Sequence, residues 1–372
     1  MKKNTRTIDA FYVLLRAGLW EQEVRLSAFE RLDFEALYQL AEEQSVVGLI
    51  AAGLEHVEDR KIIKQEALPF MKSVLGIEQR NLRMNAFLRK LYTEIRDAGI
   101  FVLLVKGQGV AQCYERPLWR AAGDIDLLLD SDGYERAKIL LKAKTTAVKQ
   151  EFSYLKHIGM TIDSWEIELH GTFRTRLSLR MDREIDRIQE STFTDRKFRT
   201  WNCEGMDIFL PTPDNDVIFV FTHILHHYYL EGIGLRQICD WCRLLWVYRE
   251  VLNHSLLWER LKRMRIVAEW KAFAAFAVDF LSMPTEVMPF FDEAVRWKRK
   301  AQGVNKFILG VRSFRYKVER PSERQSFYVR KFFSFLNHLR EGGRHLGTFP
   351  LGTLRAFFGM AVSGVHAVRK RE

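Results

Sequence analysis

The feature that most constrains the fold is a change of pattern near residue 100, where helical periodicity stops and two short apolar runs follow. The first run, 100–105, consists mainly of β-favouring residues and is too short for a helix. It leads into a turn with the sequence KGQG at 106–109, and a second run has the sequence GDIDLLLD at 123–130. The pattern predicts a strand, a glycine-rich turn, a short helix and a second strand. The chain therefore requires a sheet near its centre.

Helices are predicted on both sides of this sheet. An apolar stripe with helical spacing runs from about residue 68 to 98 and ends at Gly99, and Asp33 is suited to cap an earlier helix. Helical periodicity returns at about residue 214 and persists. We therefore predict an α+β fold: a small mixed β-sheet core with flanking helices, a helical N-terminal segment and a large helical C-terminal part.

Between these helical parts the sequence predicts one more helix and a hairpin. Ser131 or Asp132 is expected to cap a helix that ends near Lys144. The stretch 151–172 has the pattern of a hairpin, because two strand-like runs flank the turn formers Asp163 and Ser164.

The chain is divided by pattern into four segments. Residues 1–98 are predicted as a helical N-terminal segment and 99–212 as the mixed β-sheet core. Residues 213–295 form a helical region that we expect to build a binding pocket with the core. Residues 296–372 form a basic helical region with 18 lysines and arginines against 4 acidic residues, in a chain of net charge +11.

The basic C-terminal region allows several interpretations. Clustered lysine and arginine favour an anionic membrane surface or a polyanion, but such a region also folds back on its own domain. We expect folding back first. Four cysteines in 372 residues are too few for a secreted disulfide framework, and no apolar run is long enough to span a membrane. We therefore expect a cytoplasmic protein, with peripheral membrane attachment as a second expectation.

The second predicted strand carries a pair of acids. Asp124 and Asp126 are two residues apart, so their side chains point to one face while Ile125 and Leu127 point into a core. Two carboxylates on one side of a buried strand repel each other, and a divalent cation such as Mg²⁺ or Mn²⁺ is the usual remedy. On this reasoning, removal of Asp126 would leave the melting temperature unchanged or raise it.

A third acid is expected beside this pair. In the predicted strand at 165–170, Glu166, Glu168 and His170 share one face. If this strand pairs with the Asp124 strand, Glu168 completes a cluster for two metal ions, and Glu166 is the alternative. The turn at Lys106 and Gly107 would then receive a triphosphate through its backbone N–H groups and the lysine charge.

At these residues the chain resembles a known family. The stretch VKGQGVAQCYERPLWRAAGDIDLLLD at 105–130 is similar to the nucleotidyltransferase superfamily typified by DNA polymerase beta, kanamycin nucleotidyltransferase and the minimal nucleotidyltransferases. More narrowly, it resembles a bacterial, largely uncharacterised nucleotidyltransferase-like family with KG, GDIDLL and D-L-H motifs. The resemblance covers about residues 80–245. It implies transfer of a nucleoside monophosphate from an NTP, such as ATP, to an acceptor, with two Mg²⁺ or Mn²⁺ ions held by three carboxylates.

The resemblance implies roles for three groups of residues. The implied metal ligands and catalytic acids are Asp124, Asp126 and Glu168. The implied donor-nucleotide contacts are Lys106, Gly107, Gln108 and Arg120. The implied acceptor-site residues are His170, His223, His227, Arg236 and Asp240. Two departures stand out: Gln108 replaces the small residue that usually contacts a phosphate, and the third acid is Glu where the narrower family commonly has Asp.

The acceptor is not specified by these motifs. A sugar or another small hydroxylated molecule is our first expectation, and a protein or tRNA, as in toxin-like members of the superfamily, is the alternative. A catalytically silent scaffold that retains the fold is a third interpretation, for which Gln108 is the best hint. His223 and His227 share a helix face, and Cys239 and Cys242 form a CxxC, but for both pairs we favour a role without a metal.

Overall fold

The computed structural model describes residues 5–29, 32–152, 155–315 and 343–359, with side chains described up to residue 310 and again from 343. Within these residues two small sheets lie among helices, which confirms the predicted α+β fold. The helices are α1 (Thr5–Trp20), α2 (Phe34–Glu43), α3 (Val47–Glu55), α4 (Lys64–Asp97), α5 (Gly107–Ala111), α6 (Ser131–Lys142), α7 (Leu179–Asp195), α8 (Pro213–His226), α9 (Leu235–Tyr248), α10 (His254–Met264), α11 (Val267–Leu281) and α12 (Val295–Arg315). The strands are β1 (Leu103–Val105), β2 (Ile125–Leu128), β3 (Ala147–Val148), β4 (His157–Ile162), β5 (Trp165–His170), β6 (Phe198–Cys203) and β7 (Met206–Pro211).

The larger sheet has the strand order β1-β2-β5-β4-β3, in which β2 is parallel to β5 and the other neighbours are antiparallel. One face is apolar because alternate residues of β2, Ile125 and Leu127, point the same way. They are buried in one core with Leu88 of α4 and Tyr134 of α6. The opposite face carries polar side chains and faces a cleft.

Helix α4 leads the chain into this sheet. It covers the predicted apolar stripe, ends at Asp97 and is followed by Gly99 with a φ of +67°. Glycine adopts this left-handed conformation at little cost, so the helix stops there and the chain reverses. The apolar run at 100–105 follows, and its last three residues form β1.

The predicted hairpin is present as β4 and β5. Its two turn residues, Asp163 and Ser164, have φ values of +48° and +68°, the left-handed pair that a two-residue hairpin loop of type I′ requires. This loop sets the register, so that Ile162 pairs with Trp165 and, five residues further along, His157 pairs with His170. The register thereby brings two histidines together on the sheet.

Two local expectations differ from the structure. Helix α6 is capped by Asp130, whose carboxylate accepts a hydrogen bond from the Gly133 amide at 2.7 Å, and not by Ser131 or Asp132. Asp130 has the extended backbone that a capping residue needs, whereas the two following residues are already helical. The helix also ends at Lys142, two residues before the predicted position.

Helix α7 and the β6–β7 hairpin were not predicted. The hairpin turns at Glu204 and Gly205, which have φ values of +48° and +88°. Strand β7 lies close to β1, and its residues Ile208 and Leu210 are buried in the same core as α4. The hairpin therefore extends the apolar layer behind the larger sheet.

The helices before and after the sheet share one hydrophobic core. Phe11 of α1, Phe219 of α8 and Phe273 of α11 are all fully buried in it. Residues 343–346 and 350–359 are helical, and Phe349 is buried in the same core. The described end of the basic region therefore folds back, as expected. Residues 316–342 and 360–372 lie outside the description, so a contact with a membrane or polyanion stays a prediction, as do the four segment boundaries.

None of the described helices combines the length and the apolar character that a bilayer crossing needs.

Candidate active site

A cleft of about 490 Å³ lies between the polar face of the larger sheet and helices α8 and α9. Its volume is in the range of small-molecule sites, which is roughly 300–1,000 Å³. All but one of the predicted site residues line this cleft. They are Lys106, Gly107, Arg120, Asp124, Asp126, Glu168, His170, His223, His227, Arg236 and Asp240.

The turn after β1 contributes Lys106 and Gly107 to the lining of the cleft. Lys106 and Gly107 have φ values of +57° and +39°, and α5 begins directly at Gly107. A left-handed lysine is uncommon, so the surrounding structure holds this backbone in place. The Lys106 Nζ lies 2.7 Å from the Asp126 Oδ1. Burial opposes the lysine charge, but the Asp126 carboxylate outweighs burial and raises the pKa of Lys106.

Asp126 is the most deeply placed acid of the cleft, with 3% of its surface exposed. Its Oδ1 contacts both the Lys106 Nζ and the His170 Nε2, the latter at 2.8 Å. Burial alone would raise the pKa of Asp126, but these two partners outweigh burial and hold the pKa well below its usual range. The ionised carboxylate only accepts, so the His170 Nε2 carries the hydrogen and donates it.

Asp124 has the opposite electrostatic environment. The charge of Asp126, followed by burial, raises the pKa of Asp124, and Lys106 only partly offsets this effect. The two acids of the GDID motif thus differ: Asp126 is held ionised by direct partners, whereas ionisation of Asp124 is disfavoured by its neighbour.

Glu168 lies directly beside Asp126, because β2 and β5 pair in parallel with these two residues in register. Its Oε2 is 3.2 Å from the His157 Nε2 and 3.6 Å from the His170 Nε2. Burial alone would raise the pKa of Glu168, but the hydrogen bond from His157 outweighs burial and lowers it. Glu168 is therefore an ionised acid between two imidazoles.

Glu166, the alternative third acid, is directed elsewhere. Its carboxylate accepts a hydrogen bond from the Thr161 hydroxyl at 2.7 Å and pairs with the Lys149 ammonium at 2.6 Å. It does not belong to the lining of the cleft. Among the two candidates, Glu168 is the one next to Asp126.

His157 lines the cleft and was missed by the sequence reasoning. It could have been found from the hairpin. A two-residue loop at Asp163 and Ser164 fixes the register and places His157 opposite His170. The two rings are stacked, with centroids 4.7 Å apart and an interplanar angle of 14°.

The wall opposite the sheet carries a group of histidines at the junction of α8 and the following π-helical turn, His227–Glu231. The Nε2 atoms of His223 and His227 are 2.9 Å apart, so one ring donates to the other. The His227 Nδ1 is 3.1 Å from the Glu231 Oε2. Hydrogen bonds from His226 and His227 hold the pKa of Glu231 well below its usual range, and burial lowers the pKa of His223 strongly.

Arg120 and Arg236 differ in how they are engaged. The Arg120 guanidinium makes two bonds to the Asp240 carboxylate, Nε to Oδ1 at 2.9 Å and Nη2 to Oδ2 at 2.6 Å. The Arg236 Nη1 donates to the Ala121 carbonyl at 2.9 Å, while its buried Nε has no hydrogen-bond partner among the described residues. The charge of Arg120 is thus neutralised by Asp240, and Arg236 is better placed to contact an anion.

Gln108 is not placed as expected. Its side chain is buried and its amide nitrogen donates to the Asn85 Oδ1 of α4 at 2.9 Å, away from the cleft. Gln108 is also absent from the cleft lining. The predicted contact of Gln108 with a donor nucleotide is therefore corrected. The side chain instead links α5 to α4, because the buried amides of Gln108 and Asn85 both need hydrogen-bond partners.

The CxxC of α9 lies in the core. Cys239 and Cys242 are free thiols and are completely buried, in agreement with the preference for packing. Burial raises the pKa of both thiols, Cys239 strongly.

The carboxylates of the cleft fit a divalent cation by their chemistry. Asp124, Asp126 and Glu168 offer oxygen atoms, which Mg²⁺ and Mn²⁺ accept as ligands. The raised pKa of Asp124 reflects repulsion between neighbouring carboxylates that Lys106 does not remove. A bound dication would relieve this repulsion, so the residues present suit the predicted group.

Comparison with known proteins identifies the family. A family model described as an uncharacterised nucleotidyltransferase matches residues 30–282, more than half of the chain. The chain belongs to this family. Membership in the uncharacterised nucleotidyltransferases supports nucleotidyl transfer as the general function, and the matched range includes every residue of the cleft.

Other comparisons add little to this family assignment. The crystal structure of an antigenic nucleotidyltransferase-like protein from Paracoccidioides brasiliensis is similar over 51% of this chain and 90% of its own chain, with 14% sequence identity and a TM-score of 0.31. No curated protein matches the sequence.

Proposed function

We propose that this protein transfers a nucleoside monophosphate from an NTP to a hydroxyl group, with divalent metal ions bound in the cleft. The observation that carries the proposal is the position of three carboxylates, Asp124, Asp126 and Glu168, beside the Lys106 turn in a single cleft. This grouping occurs in a chain of a nucleotidyltransferase family, whose general activity requires both an anion site and a means of stabilising phosphoryl charge.

The donor triphosphate is assigned to the Lys106 end of the cleft. Lys106 brings a buried ammonium, and Gly107 brings a backbone without a side chain in the left-handed turn. Arg236 adds a guanidinium that lines the cleft and whose buried Nε has no hydrogen-bond partner in the described part of the chain. Positive groups fixed in a partly enclosed cleft stabilise phosphate charge more than they would in water.

The reacting groups are assigned to the sheet. Asp124, Asp126 and Glu168 hold the metal ions, which when bound stabilise the charge that develops on the phosphoryl group and on the leaving pyrophosphate. The acceptor oxygen forms a bond to the α-phosphorus as the bond to pyrophosphate breaks. The proton of the acceptor hydroxyl passes to the ionised Glu168 carboxylate.

The acceptor is assigned to the opposite wall, formed by α8, α9 and the turn between them. His223, His227 and Asp240 supply hydrogen-bonding groups there, facing the sheet across the cleft. A cleft of about 490 Å³ with walls on both sides suits a sugar or another small hydroxylated molecule. Nothing in the orientation of Gln108 favours a silent scaffold, because that side chain does not face the cleft.

The proposal is tested with the full chain and α-labelled ATP, GTP, CTP and UTP, each with Mg²⁺ or Mn²⁺ and a cell extract. Label should move into a small-molecule fraction. Label in protein or RNA would support the transfer reaction but would show that the acceptor is a macromolecule and not a small molecule. Absence of transfer with every nucleotide and metal would contradict the proposal.

An isosteric variant separates chemistry from folding. Asp126→Asn should lower the rate of transfer by about 100-fold or more, because asparagine keeps the shape of the aspartate side chain but removes the charge of the metal ligand. Asp132→Asn is the matched control, since Asp132 is an exposed acid six residues away on α6 with a side chain 81% exposed. Equal activity of Asp126→Asn and the control would count against the assigned site.

A further inference from the structure

The sheet holds a compact group of nitrogen and oxygen donors, of which the proposed nucleotidyl transfer uses only Glu168. His157 on β4 and Glu168 and His170 on β5 each offer one donor atom, and the three atoms lie within 4.8 Å of one another. The Glu168 Oε2 is at the centre, 3.2 Å from the His157 Nε2 and 3.6 Å from the His170 Nε2.

These distances match those between neighbouring ligands of one metal ion. For metal–ligand bonds of about 2.1 Å, adjacent ligand atoms are about 3.0 Å apart in an octahedral site and about 3.4 Å apart in a tetrahedral one. The two distances in the cluster bracket the tetrahedral value. Asp126 adds a further oxygen, because its Oδ1 is 2.8 Å from the His170 Nε2.

The donor types select a class of metal. Mg²⁺ and Ca²⁺ prefer oxygen ligands alone, whereas two imidazoles with one carboxylate suit transition-metal dications such as Mn²⁺, Fe²⁺ or Zn²⁺. A carboxylate at the centre of the group supplies the negative charge that a dication requires.

The cluster is also held in position before any ion binds. The donors lie on β4 and β5, which are adjacent hydrogen-bonded strands, and the two imidazole rings are stacked. Phe152 stacks on the outer side of His157 at an interplanar angle of 5°, and Phe173 packs against His170 with centroids 4.8 Å apart. Rings fixed by packing lose little freedom on ligation.

We propose that His157, Glu168 and His170 form a binding site for a transition-metal dication of the Mn²⁺ or Zn²⁺ type, open to the cleft on its remaining coordination positions. Each neutral imidazole carries a single N–H, so ligation through Nε2 requires that hydrogen to move to Nδ1. The bound ion then replaces the hydrogen bonds that the Nε2 atoms of His157 and His170 donate to Glu168 and Asp126. The site shares Glu168 with the proposed transfer reaction but needs no nucleotide, so it is tested separately from that reaction.

The experiment uses the full chain and Mn²⁺ alone. Binding is followed by loss of the signal of free Mn²⁺ in electron paramagnetic resonance, and pulsed measurements then detect nitrogen coupled to the bound ion. We expect a bound Mn²⁺ that is coupled to imidazole nitrogen, and we expect this ion to be displaced by Zn²⁺ but not by an equal concentration of Mg²⁺.

Two pairs of variants identify the ligands. His157→Gln should weaken Mn²⁺ binding by more than about tenfold and reduce the nitrogen coupling, whereas the exposed His254→Gln should change neither. Glu168→Gln should weaken binding, whereas Glu166→Gln on the same strand should not, because Glu166 is engaged by Lys149 and Thr161.

Several results would overturn the site. Bound Mn²⁺ without nitrogen coupling would mean that carboxylates alone hold the ion. Unchanged affinity in His157→Gln, or displacement by equimolar Mg²⁺, would exclude the donor set. Absence of Mn²⁺ and Zn²⁺ binding by the wild-type chain would exclude the site itself, whether or not nucleotidyl transfer is detected.

Discussion

At the scale of single residues, the two acids of the GDID motif have opposite roles in stability. Asp126 is buried and is paired with the Lys106 ammonium and the His170 ring, so its negative charge is matched. Asp124 has its pKa raised by the charge of Asp126 and by burial. The simple expectation that removal of Asp126 relieves repulsion therefore applies to Asp124 instead.

Asp126→Ala should destabilise the fold. The substitution leaves the buried Lys106 without its partner, and loss of one member of a buried pair costs about 3–5 kcal/mol of unfolding free energy. Urea denaturation measures this loss. The double variant with Lys106→Met should recover part of it, because no charge is then left buried. An Asp126→Ala midpoint equal to that of the wild type would contradict this view of the ion pair.

Asp124→Asn should stabilise the protein at neutral pH. Because the folded-state pKa of Asp124 is raised, its ionised form costs stability above that pKa, and the cost disappears when the carboxyl is protonated. The advantage of the variant should therefore be present at pH 7 and fade as the pH falls towards the ordinary aspartate value of about 4. Urea midpoints across this range measure it. A variant with the same advantage at every pH would point to a cause other than charge.

At the scale of elements, structure that depends on neighbours in sequence could be predicted. The end of α4 at Gly99, the turn after β1 and the two-residue hairpin loop all follow from local residue types. The register of that hairpin could also have been predicted from its two-residue loop, and it would have placed His157 opposite His170.

Contacts between distant elements could not be predicted in the same way. The Arg120–Asp240 pair joins residues 120 positions apart, and the Gln108 amide turns towards α4 for a partner that no motif specifies. Both depend on how helices pack against the sheet. The β6–β7 hairpin was missed for a different reason, since its Glu204–Gly205 turn is a local signal that was not used.

Asn81→Leu tests how α4 supports the cleft. The Asn81 side chain is fully buried, and its Nδ2 donates to the Leu118 and Arg120 carbonyls at 2.7 and 2.8 Å. Leucine would leave both carbonyls without this donor and should lower the unfolding free energy by about 2 kcal/mol. Transfer should fall as well, because this loop continues through Ala121, whose carbonyl accepts the hydrogen bond from Arg236, to Asp124 of the proposed site.

Gln79→Leu is the control for this variant, since Gln79 is exposed on the same helix. Chemical denaturation and the transfer assay are applied to both proteins. Equal stability of the two variants would show that the loop does not depend on the Asn81 hydrogen bonds.

At the scale of the whole molecule, His345 links the C-terminal segment to the core. It is 1% exposed and lies between Tyr228 and Phe307, with ring centroids 4.3 Å from each. Burial, with a smaller effect of Arg344, lowers the pKa of His345 to about 3. Below a pH of about 6.5, His345 binds a proton in the unfolded chain but not in the folded chain. The free energy of unfolding therefore falls as the pH decreases below about 6.5.

His345→Leu should remove this part of the acid sensitivity. Between pH 7 and pH 5 the wild type should lose about 2 kcal/mol more unfolding free energy than the variant. Leucine keeps an apolar side chain in the packed position, so the comparison isolates the proton. Urea denaturation at the two pH values provides the measurement. Equal losses in both proteins would show that His345 is protonated in the folded state.

The shared core has a practical meaning for anyone who wishes to express this protein. The family match ends at residue 282, yet Ile308 of α12 and Phe349 beyond it are buried against the same helices. Tyr228 packs on Phe349, and its neighbour His227 lines the cleft. A fragment trimmed to the matched range would expose an apolar surface directly behind the α8 side of the cleft. Binding and activity screens with such a fragment would therefore be made on a cleft that lacks part of its supporting core.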